Sequence, residues 1–333
     1  MTYFMRRSGR GVSRLFLISF VALSSSVPAM AIAQPYPTKL VRIVVPFPPG
    51  GSTDLLARKL AEKLQASMGQ SFIVENKPGA GGAVGTEFVA KSPADGYTLL
   101  MGVTGSHGIS VSLNPKLPYH PLKDFAPVSM VVSAPLVVVV GPGFPANTLA
   151  EYVAFAKSKP DQVTHSSPGN GTSMHLTGEM FNLASGTRLV HVPYKGSAGA
   201  INDLIGGQVQ SMFGDFLVVL PQVRGGKIKA LAVTSALRHP LLPEVPTVAE
   251  SGYPGFEALS WQGLFAPAGT PPDVISKLNA ETVKALASED FREAFARQGF
   301  LVAGSTPAEF RAFIEAEIPK WARIIKAGGV TLQ

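Results

Sequence analysis

The five residues Gly50-Gly51-Ser52-Thr53-Asp54 have the types and the spacing of an anion-binding turn. They follow an apolar, β-branched run at Val41–Val45 and three prolines, and they precede a helical pattern in which leucine recurs every fourth residue. Glycine leaves the backbone bare, and the first amide groups of a helix lack acceptors within the helix and carry partial positive charge. Such a turn either caps its helix and does nothing more, or binds a carboxylate or a phosphate.

Similar residue types follow other predicted strands. The loops 104–108, 169–173 and 194–197 are rich in glycine and hydroxyl groups, and Asp215 marks a fifth position. Loops at the carboxyl ends of strands are where α/β proteins bind their ligands. These loops fall in both halves of the chain, so a cleft between two domains would collect them. Lys195 is the one clear cation among them, and we therefore expect a bound anion to be held mainly by neutral donors.

Patterns for nucleotide binding and for nucleophilic catalysis fail at specific positions. The glycine-rich loop 79–85 has Val84 where a dinucleotide fingerprint needs its third glycine. A nucleophile elbow would need glycine where His175 stands, two residues after Ser173. The chain has no cysteine, which excludes a thiolate nucleophile and a disulfide framework.

Two histidines need separate consideration. His175 and Glu179 are four residues apart on a predicted helix and could form a metal pair, but no third ligand is evident, and a surface contact on one helix is favoured. His107 lies in a candidate loop, where it either contacts a ligand or makes a hydrogen bond within its turn; the second is favoured. The sequence predicts no metal, no cofactor and no catalytic residue.

Two carboxylates lie in the candidate loops. A carboxylate that faces a carboxylate ligand costs free energy in a poorly hydrated cleft. Asp54 is therefore expected to stabilise the first turn of its helix. Asp215 is expected to contact the ligand through water, a hydroxyl or an ammonium, and a direct contact would require a donor on the ligand.

Strand and helix patterns alternate from residue 36 onwards, which predicts an α/β fold with mixed sheets flanked by helices. The predicted strands are 41–45, 71–75, 97–103, 128–140, 188–193, 210–213, 228–234 and 259–266. Ser133-Ala134-Pro135 should interrupt the long strand 128–140, as in a chain that passes from one domain to another. Pro319 should kink or split the last helix, which starts at Thr306.

The first 33 residues have the pattern of a cleavable signal peptide. Four arginines precede an apolar run at 15–23, and Ala31-Ile32-Ala33 fits a cleavage site. Without those arginines the net charge of +7 falls to +3, and no basic run resembles a nucleic-acid footprint. The sequence therefore predicts an exported, periplasmic protein that starts at Gln34 after cleavage and does not bind nucleic acid.

Six segments in order carry a family resemblance: PFPPGGSTD, ENKPGAGGAVGTEFVA, SPADGYTLLMG, HVPYKG, MFGD and LPEVPTVAESGYPGFE. Together they resemble the periplasmic solute-binding receptors of tripartite tricarboxylate transporters, the Bordetella uptake gene or Bug family. The resemblance implies a two-domain flytrap fold that closes on a small carboxylate, with opposed loops holding the ligand. The ligand-binding positions expected from it and from the loops are Phe47, Gly50, Gly51, Thr53, Asp54, Thr104, Ser106, His107, Gly171, Thr172, Ser173, Tyr194, Lys195, Gly196 and Asp215.

The resemblance also implies a domain organisation and a role. Residues 36–137 and 256–333 should form the first domain and residues 138–255 the second. The protein should be a non-enzymatic monomer that delivers its ligand to a two-component membrane permease. Two alternatives stay open at this point: a ligand sensor that acts on a signalling partner, and a secreted hydrolase or isomerase that uses the same cleft.

Overall fold

The computed structural model describes residues 36–331, so the predicted signal peptide at 1–33 lies outside the described residues. The strands are β1 (Val41–Val45), β2 (Phe72–Asn76), β3 (Thr98–Val103), β4 (Phe125–Val140), β5 (Thr164–Ser167), β6 (Val190–Pro193), β7 (Ser211–Asp215), β8 (Lys229–Val233), β9 (Leu259–Pro267) and β10 (Leu301–Val302). The helices are α1 (Ser52–Met68), α2 (Ala83–Ala90), α3 (Ser110–Leu113), α4 (Leu149–Ser158), α5 (Ser173–Ser185), α6 (Ser197–Ile205), α7 (Phe216–Arg224), α8 (Pro272–Ala287), α9 (Glu289–Ala296) and α10 (Pro307–Gly328). A π-helical turn, Gly105–Ile109, leads into α3.

The strands form a mixed arrangement in the order β2-β1-β3-β9-β4-β7-β5-β6, with β8 and β10 also paired to β4. β1, β2 and β3 are parallel, as are β7, β5 and β6, whereas β9 and β4 run antiparallel to their neighbours. The carboxyl ends of the parallel strands therefore lead into the glycine-rich loops. The predicted α/β class with mixed sheets and flanking helices is confirmed.

The long strand β4 connects the two groups of strands. Its first part pairs with β9 up to Pro135, and from Leu136 onwards it pairs with β7. The expected interruption at Ser133-Ala134-Pro135 is wrong, because β4 is one continuous strand. The change of partner coincides with the proline, which has no amide hydrogen to give to a neighbour. The domain boundaries at 137/138 and 255/256 stay a prediction.

Helix α1 shows why its sequence folds as it does. Leu56, Leu60 and Leu64 recur every fourth residue, share one face and are completely buried against the strands. Gly69 ends the helix with a left-handed φ of 71°, a conformation that glycine adopts without a steric penalty. The helix thus holds the Gly50–Asp54 turn firmly on one side of the sheet.

The C-terminal helix α10 runs through Pro319 without splitting, so that part of the expectation is wrong. It starts with a complete capping box formed by Thr306 and Glu309. The buried Glu317 accepts hydrogen bonds from the indole nitrogens of Trp261 (3.1 Å) and Trp321 (2.9 Å), which ties the helix to β9. Within residues 36–331, no helix combines the length and the apolar character that a membrane crossing requires.

Candidate ligand-binding site

A cavity of about 520 Å³ collects the glycine-rich loops. It receives residues from the β1–α1 turn, from the π-helical turn after β3, from the loop before α5, from the β6–α6 turn and from the β7–α7 junction. Nine of the predicted site residues line it: Phe47, Gly50, Gly51, Thr53, Thr172, Ser173, Lys195, Gly196 and Asp215. The expectation that five distant loops meet at one cavity is therefore met by the geometry; that these residues bind a ligand stays a prediction.

Four helices begin at this cavity. The lining includes Gly51 to Thr53 at the start of α1, Thr172 to Met174 at the start of α5, Gly196 to Gly199 at the start of α6, and Asp215 with Leu217 at the start of α7. Each helix start has amide groups without acceptors within the helix and carries partial positive charge. Their convergence creates a positive potential with one exposed cationic side chain, Lys195, among the lining residues.

Asp54 fixes the shape of the first turn. Its carboxylate accepts hydrogen bonds from the Gly50 amide, from Arg58 Nε and from Asn76 Nδ2, each at 3.0 Å. Asn76 also donates to the Phe47 carbonyl at 3.0 Å. Burial raises the pKa of Asp54, but the hydrogen bonds from Arg58, Gly50 and Asn76 outweigh it and hold the pKa below its ordinary value. Asp54 thus stays charged and lies behind the turn, outside the cavity lining.

Thr172 organises the second turn. As the N-cap of α5 it accepts a hydrogen bond from the His175 amide, and its hydroxyl donates to the Gly169 carbonyl at 2.8 Å. The neighbouring Ser173 hydroxyl donates to Ser260 Oγ on β9 at 3.1 Å. A hydrogen bond therefore connects the start of α5 to β9, which also lines the cavity. Gly171 has a φ of 75° and lies outside the lining. Its amide donates to His175 Nδ1 at 3.1 Å.

The loop after β3 contributes backbone rather than side chains. Gly105 lines the cavity, whereas Thr104, Ser106 and His107 are completely buried beneath it. The Thr104 hydroxyl accepts a hydrogen bond from the Trp261 amide at 2.8 Å. Ser106 Oγ lies 2.8 Å from His107 Nδ1, so the favoured interpretation of His107, a bond within its turn, agrees with the structure.

His107 packs into the hydrophobic core instead of facing the cavity. Its ring stacks on Phe265 with centroids 3.9 Å apart and meets Phe125 edge-on. Burial lowers the pKa of His107 to about 3, so the ring is neutral. Tyr194 also lies outside the lining, with its hydroxyl donating to Asp203 at 2.6 Å. Both residues shape the loops in which they lie.

Three histidines, the buried His165 and His175 and the half-buried His191, form a cluster next to the loop 169–173. The rings of His175 and His191 stack with centroids 3.8 Å apart, and the centroid of His165 lies 5.0 Å from that of His191. His191 Nε2 is 2.6 Å from Ser167 Oγ. Burial, followed by the proximity of His165, lowers the pKa of His175 to about 4, so Nδ1 stays free to accept from Gly171 at neutral pH.

The expected contact between His175 and Glu179 within one helix is present, but its expected location at the surface is wrong, because His175 is only 4% exposed. Glu179 Oε1 lies 3.8 Å from Nε2 of both His175 and His165. No group of histidine, aspartate and glutamate side chains within residues 36–331 is arranged to hold a metal ion. The cluster instead supports the loop that precedes α5.

Among the described lining residues, Asp215 and Gln262 each have one buried side-chain oxygen without a hydrogen-bond partner. Asp215 is 3% exposed, Gln262 is 4% exposed, and neither Asp215 Oδ2 nor Gln262 Oε1 accepts a hydrogen bond from the described residues. Burial raises the pKa of Asp215 to about 7, and a hydrogen bond from Ser52 offsets this only in part. Sequence reasoning missed Gln262 and Ser260; the available signal was a polar side chain inside an otherwise buried strand, β9.

Comparison with known proteins places the chain in a family. A family model described as the tripartite tricarboxylate transporter family receptor matches residues 56–330. The chain belongs to this receptor family. BugT of Bordetella pertussis is 41% identical over 320 residues, which cover 96% of this chain and 98% of BugT.

Two solved structures resemble this receptor closely. R. palustris Rpa4515 with adipate has a TM-score of 0.86 and 35% identity, over 89% of this chain and 99% of that chain. The periplasmic binding protein BugD has a TM-score of 0.84 and 39% identity, over 90% of this chain and 100% of BugD. The receptor therefore has the two-domain periplasmic-binding-protein fold that its sequence predicts, and its family is one of solute receptors.

Proposed function

We propose that this chain is a periplasmic receptor that captures a small carboxylate and presents it to a two-component membrane permease. The observation that carries the proposal is the convergence of four helix starts, those of α1, α5, α6 and α7, on one cavity. Uncompensated amide groups and helix dipoles bind carboxylates without a dense set of cations. Rpa4515, a relative of similar fold, was solved with adipate.

The energetics of such a site are adequate for a receptor. A micromolar dissociation constant corresponds to about 8 kcal/mol. Several amide and hydroxyl hydrogen bonds of about 0.5–1.5 kcal/mol each, with hydrogen bonds to a charged group stronger, and burial of the ligand's apolar part together reach that value. The lining supplies both kinds of group, including the Ser52, Thr53 and Ser173 hydroxyls and the apolar Phe47 and Leu217.

An enzymatic use of the cavity has less support. Among the described residues, its lining contains six serine and threonine side chains near helix starts or strands but no histidine. A nucleophilic serine needs a base within hydrogen-bond reach. Asp215 is the one carboxylate among the described lining residues, and it accepts a hydrogen bond from Ser52. Export of the chain is proposed from the signal-peptide pattern at 1–33.

The proposal is tested on protein purified from the periplasm without refolding. Native mass spectrometry identifies any retained acid, and isothermal titration then measures a panel of mono-, di- and tricarboxylates. We expect at least one acid to bind with a micromolar or lower dissociation constant and to remain unchanged afterwards. Turnover of a bound ester would favour the enzyme, and absence of binding by every acid would overturn the proposal.

The role in transport needs a separate measurement. Deletion of the gene should abolish uptake of the radiolabelled acid, and a plasmid copy should restore it. If uptake is unchanged while an acid-dependent change in gene expression is lost, the chain is a sensor.

A further inference from the structure

Asp215 occupies a position that its own fold does not explain. It ends β7 and is the N-cap residue of α7, yet its side chain accepts no hydrogen bond from the α7 amides. It is 3% exposed, and its Oδ2 atom has no hydrogen-bond partner, and therefore no arginine or lysine, among residues 36–331. A buried carboxylate without a cation or a full set of donors destabilises a protein. The carboxylate therefore fits a role at the cavity that it lines.

Gln262 gives an independent second observation. It comes from the middle of the buried strand β9, a long way from Asp215 in the chain, and it lines the same cavity. Its Oε1 atom is buried and accepts no hydrogen bond from the described residues. An unsatisfied buried acceptor typically costs about 1–3 kcal/mol. Two such acceptors on one cavity indicate that its occupant supplies hydrogen-bond donors as well as a carboxylate.

Resting on the proposed carboxylate-receptor function, we infer that the ligand is an amino acid in the chemical sense: a carboxylate that also carries an ammonium group, which Asp215 receives. A hydroxyl has one hydrogen to donate and can satisfy either Asp215 Oδ2 or Gln262 Oε1, whereas an ammonium has three hydrogens to donate. An ammonium also neutralises the buried charge of Asp215, which a hydroxyl does not. The helix starts of α1 and α5 hold the ligand's carboxylate, since their amides are donors and cannot receive an ammonium.

The protonation state of Asp215 offers a competing arrangement. Burial raises the pKa of Asp215 to about 7, so a neutral Asp215 could donate its proton to a second carboxylate on the ligand. The Ser52 hydroxyl from α1 donates a hydrogen bond to it, whereas the amides at the start of α7 do not. The two arrangements predict opposite pH dependences. Binding of an ammonium favours ionised Asp215 and strengthens as the pH rises from 6 to 8, whereas donation by neutral Asp215 weakens over that interval.

Matched acids test the inference by isothermal titration of the full mature receptor. The four-carbon series is succinate, malate and aspartate, which share their skeleton and both carboxylates; glutarate with glutamate and adipate with 2-aminoadipate extend it. In the pair that fits the cavity, we expect the amino acid to bind at least tenfold more tightly than its parent acid. Asp215→Asn should reduce that ratio to near one, and the control Asp273→Asn, an exposed residue on α8, should preserve it.

Each other outcome counts against the inference in a recognisable way. A parent diacid that binds as tightly as its amino acid, or an Asp215→Asn variant that keeps the full ratio, overturns the ammonium assignment while carboxylate binding stands. Tighter binding of malate than of aspartate assigns a hydroxyl instead. An affinity that falls from pH 6 to pH 8 would show that neutral Asp215 donates its proton to a second carboxylate on the ligand. If no acid of any pair binds, the proposed function fails together with the inference.

Discussion

The α-carbon of Gly105 lies so close to the carbonyl oxygen of Gly171 that a β-carbon added at Gly105 would stand 2.8 Å from that oxygen. Gly105 begins the π-helical turn after β3, and Gly171 precedes α5, so the contact joins the two groups of strands that β4 connects. A similar approach occurs nearby, where a β-carbon added at Gly81 would stand 2.3 Å from the Asn170 carbonyl oxygen. Bare backbone at these positions lets the loops meet beside the cavity.

Gly105→Ala should therefore weaken ligand binding without unfolding the protein. The φ of Gly105 is not left-handed, so alanine brings no backbone strain of its own, but its methyl group would push the loop of Gly171 away from the cavity. We expect at least a tenfold loss of affinity, measured by isothermal titration with the acid found on the exported protein. The control is Gly143→Ala, since a β-carbon at Gly143 meets no atom within 4 Å. Equal affinity of both variants would show that this contact does not limit binding.

Gly51→Val should abolish binding by covering the amides at the start of α1. Gly51 has a φ of −83°, which valine tolerates, and a β-carbon there meets no protein atom within 4 Å. Gly50, with a φ of 85°, is a poorer choice because its substitution would strain the turn. We expect the melting temperature without ligand to change by only a few degrees and the ligand-induced rise to disappear. Binding within threefold of the wild type would remove α1 from the site.

The β1–α1 turn was predictable because its causes are local. Prolines end β1, Gly50 and Gly51 bare the backbone, and leucines at every fourth position start the helix, all within about 25 residues of sequence. The meeting of distant loops at one cavity was predictable from the alternation of strands and helices, since parallel strands place their carboxyl ends on one edge.

Other features depended on contacts between distant parts of the chain. The sequence around Pro135 gave reason to expect a broken strand, but pairing with β9 on one side and β7 on the other keeps β4 continuous. For His107 the sequence favoured a hydrogen bond within its turn over contact with a ligand, but it could not show that the ring stacks on Phe265, 158 positions later, and so lies in the core. Gln262 was missed because nothing nearby in the sequence marks which face of β9 borders the cavity.

Lys195→Met should weaken binding only about two- to fivefold. Lys195 is exposed, and an exposed charge pair contributes about 0.2–1 kcal/mol, whereas the helix starts supply most of the interaction. The remaining affinity should depend less on salt concentration than that of the wild type, which titrations at 20 and 200 mM NaCl would measure. Lys227→Met, at an exposed position outside the lining, is the matched control. A hundredfold loss at Lys195 would mean that the site relies on an ion pair.

Asp215→Asn should stabilise the ligand-free protein in a pH-dependent way. Because burial raises the pKa of Asp215 from 3.8 to about 7, the folded state binds more protons than the unfolded chain within that interval, and the wild type loses stability as the pH rises through it. Asparagine carries no charge, so the variant's advantage should be small near pH 4 and largest above pH 7, where it is at most about 4 kcal/mol. Burial lowers the pKa of His107 and His175, so their contribution to the stability of the fold decreases as the pH falls. These histidines are the same in both proteins, and their contributions cancel in the difference. Urea unfolding at pH 4.5, 6 and 8 measures that difference, and a value that does not change with pH would show that Asp215 titrates normally in the folded receptor.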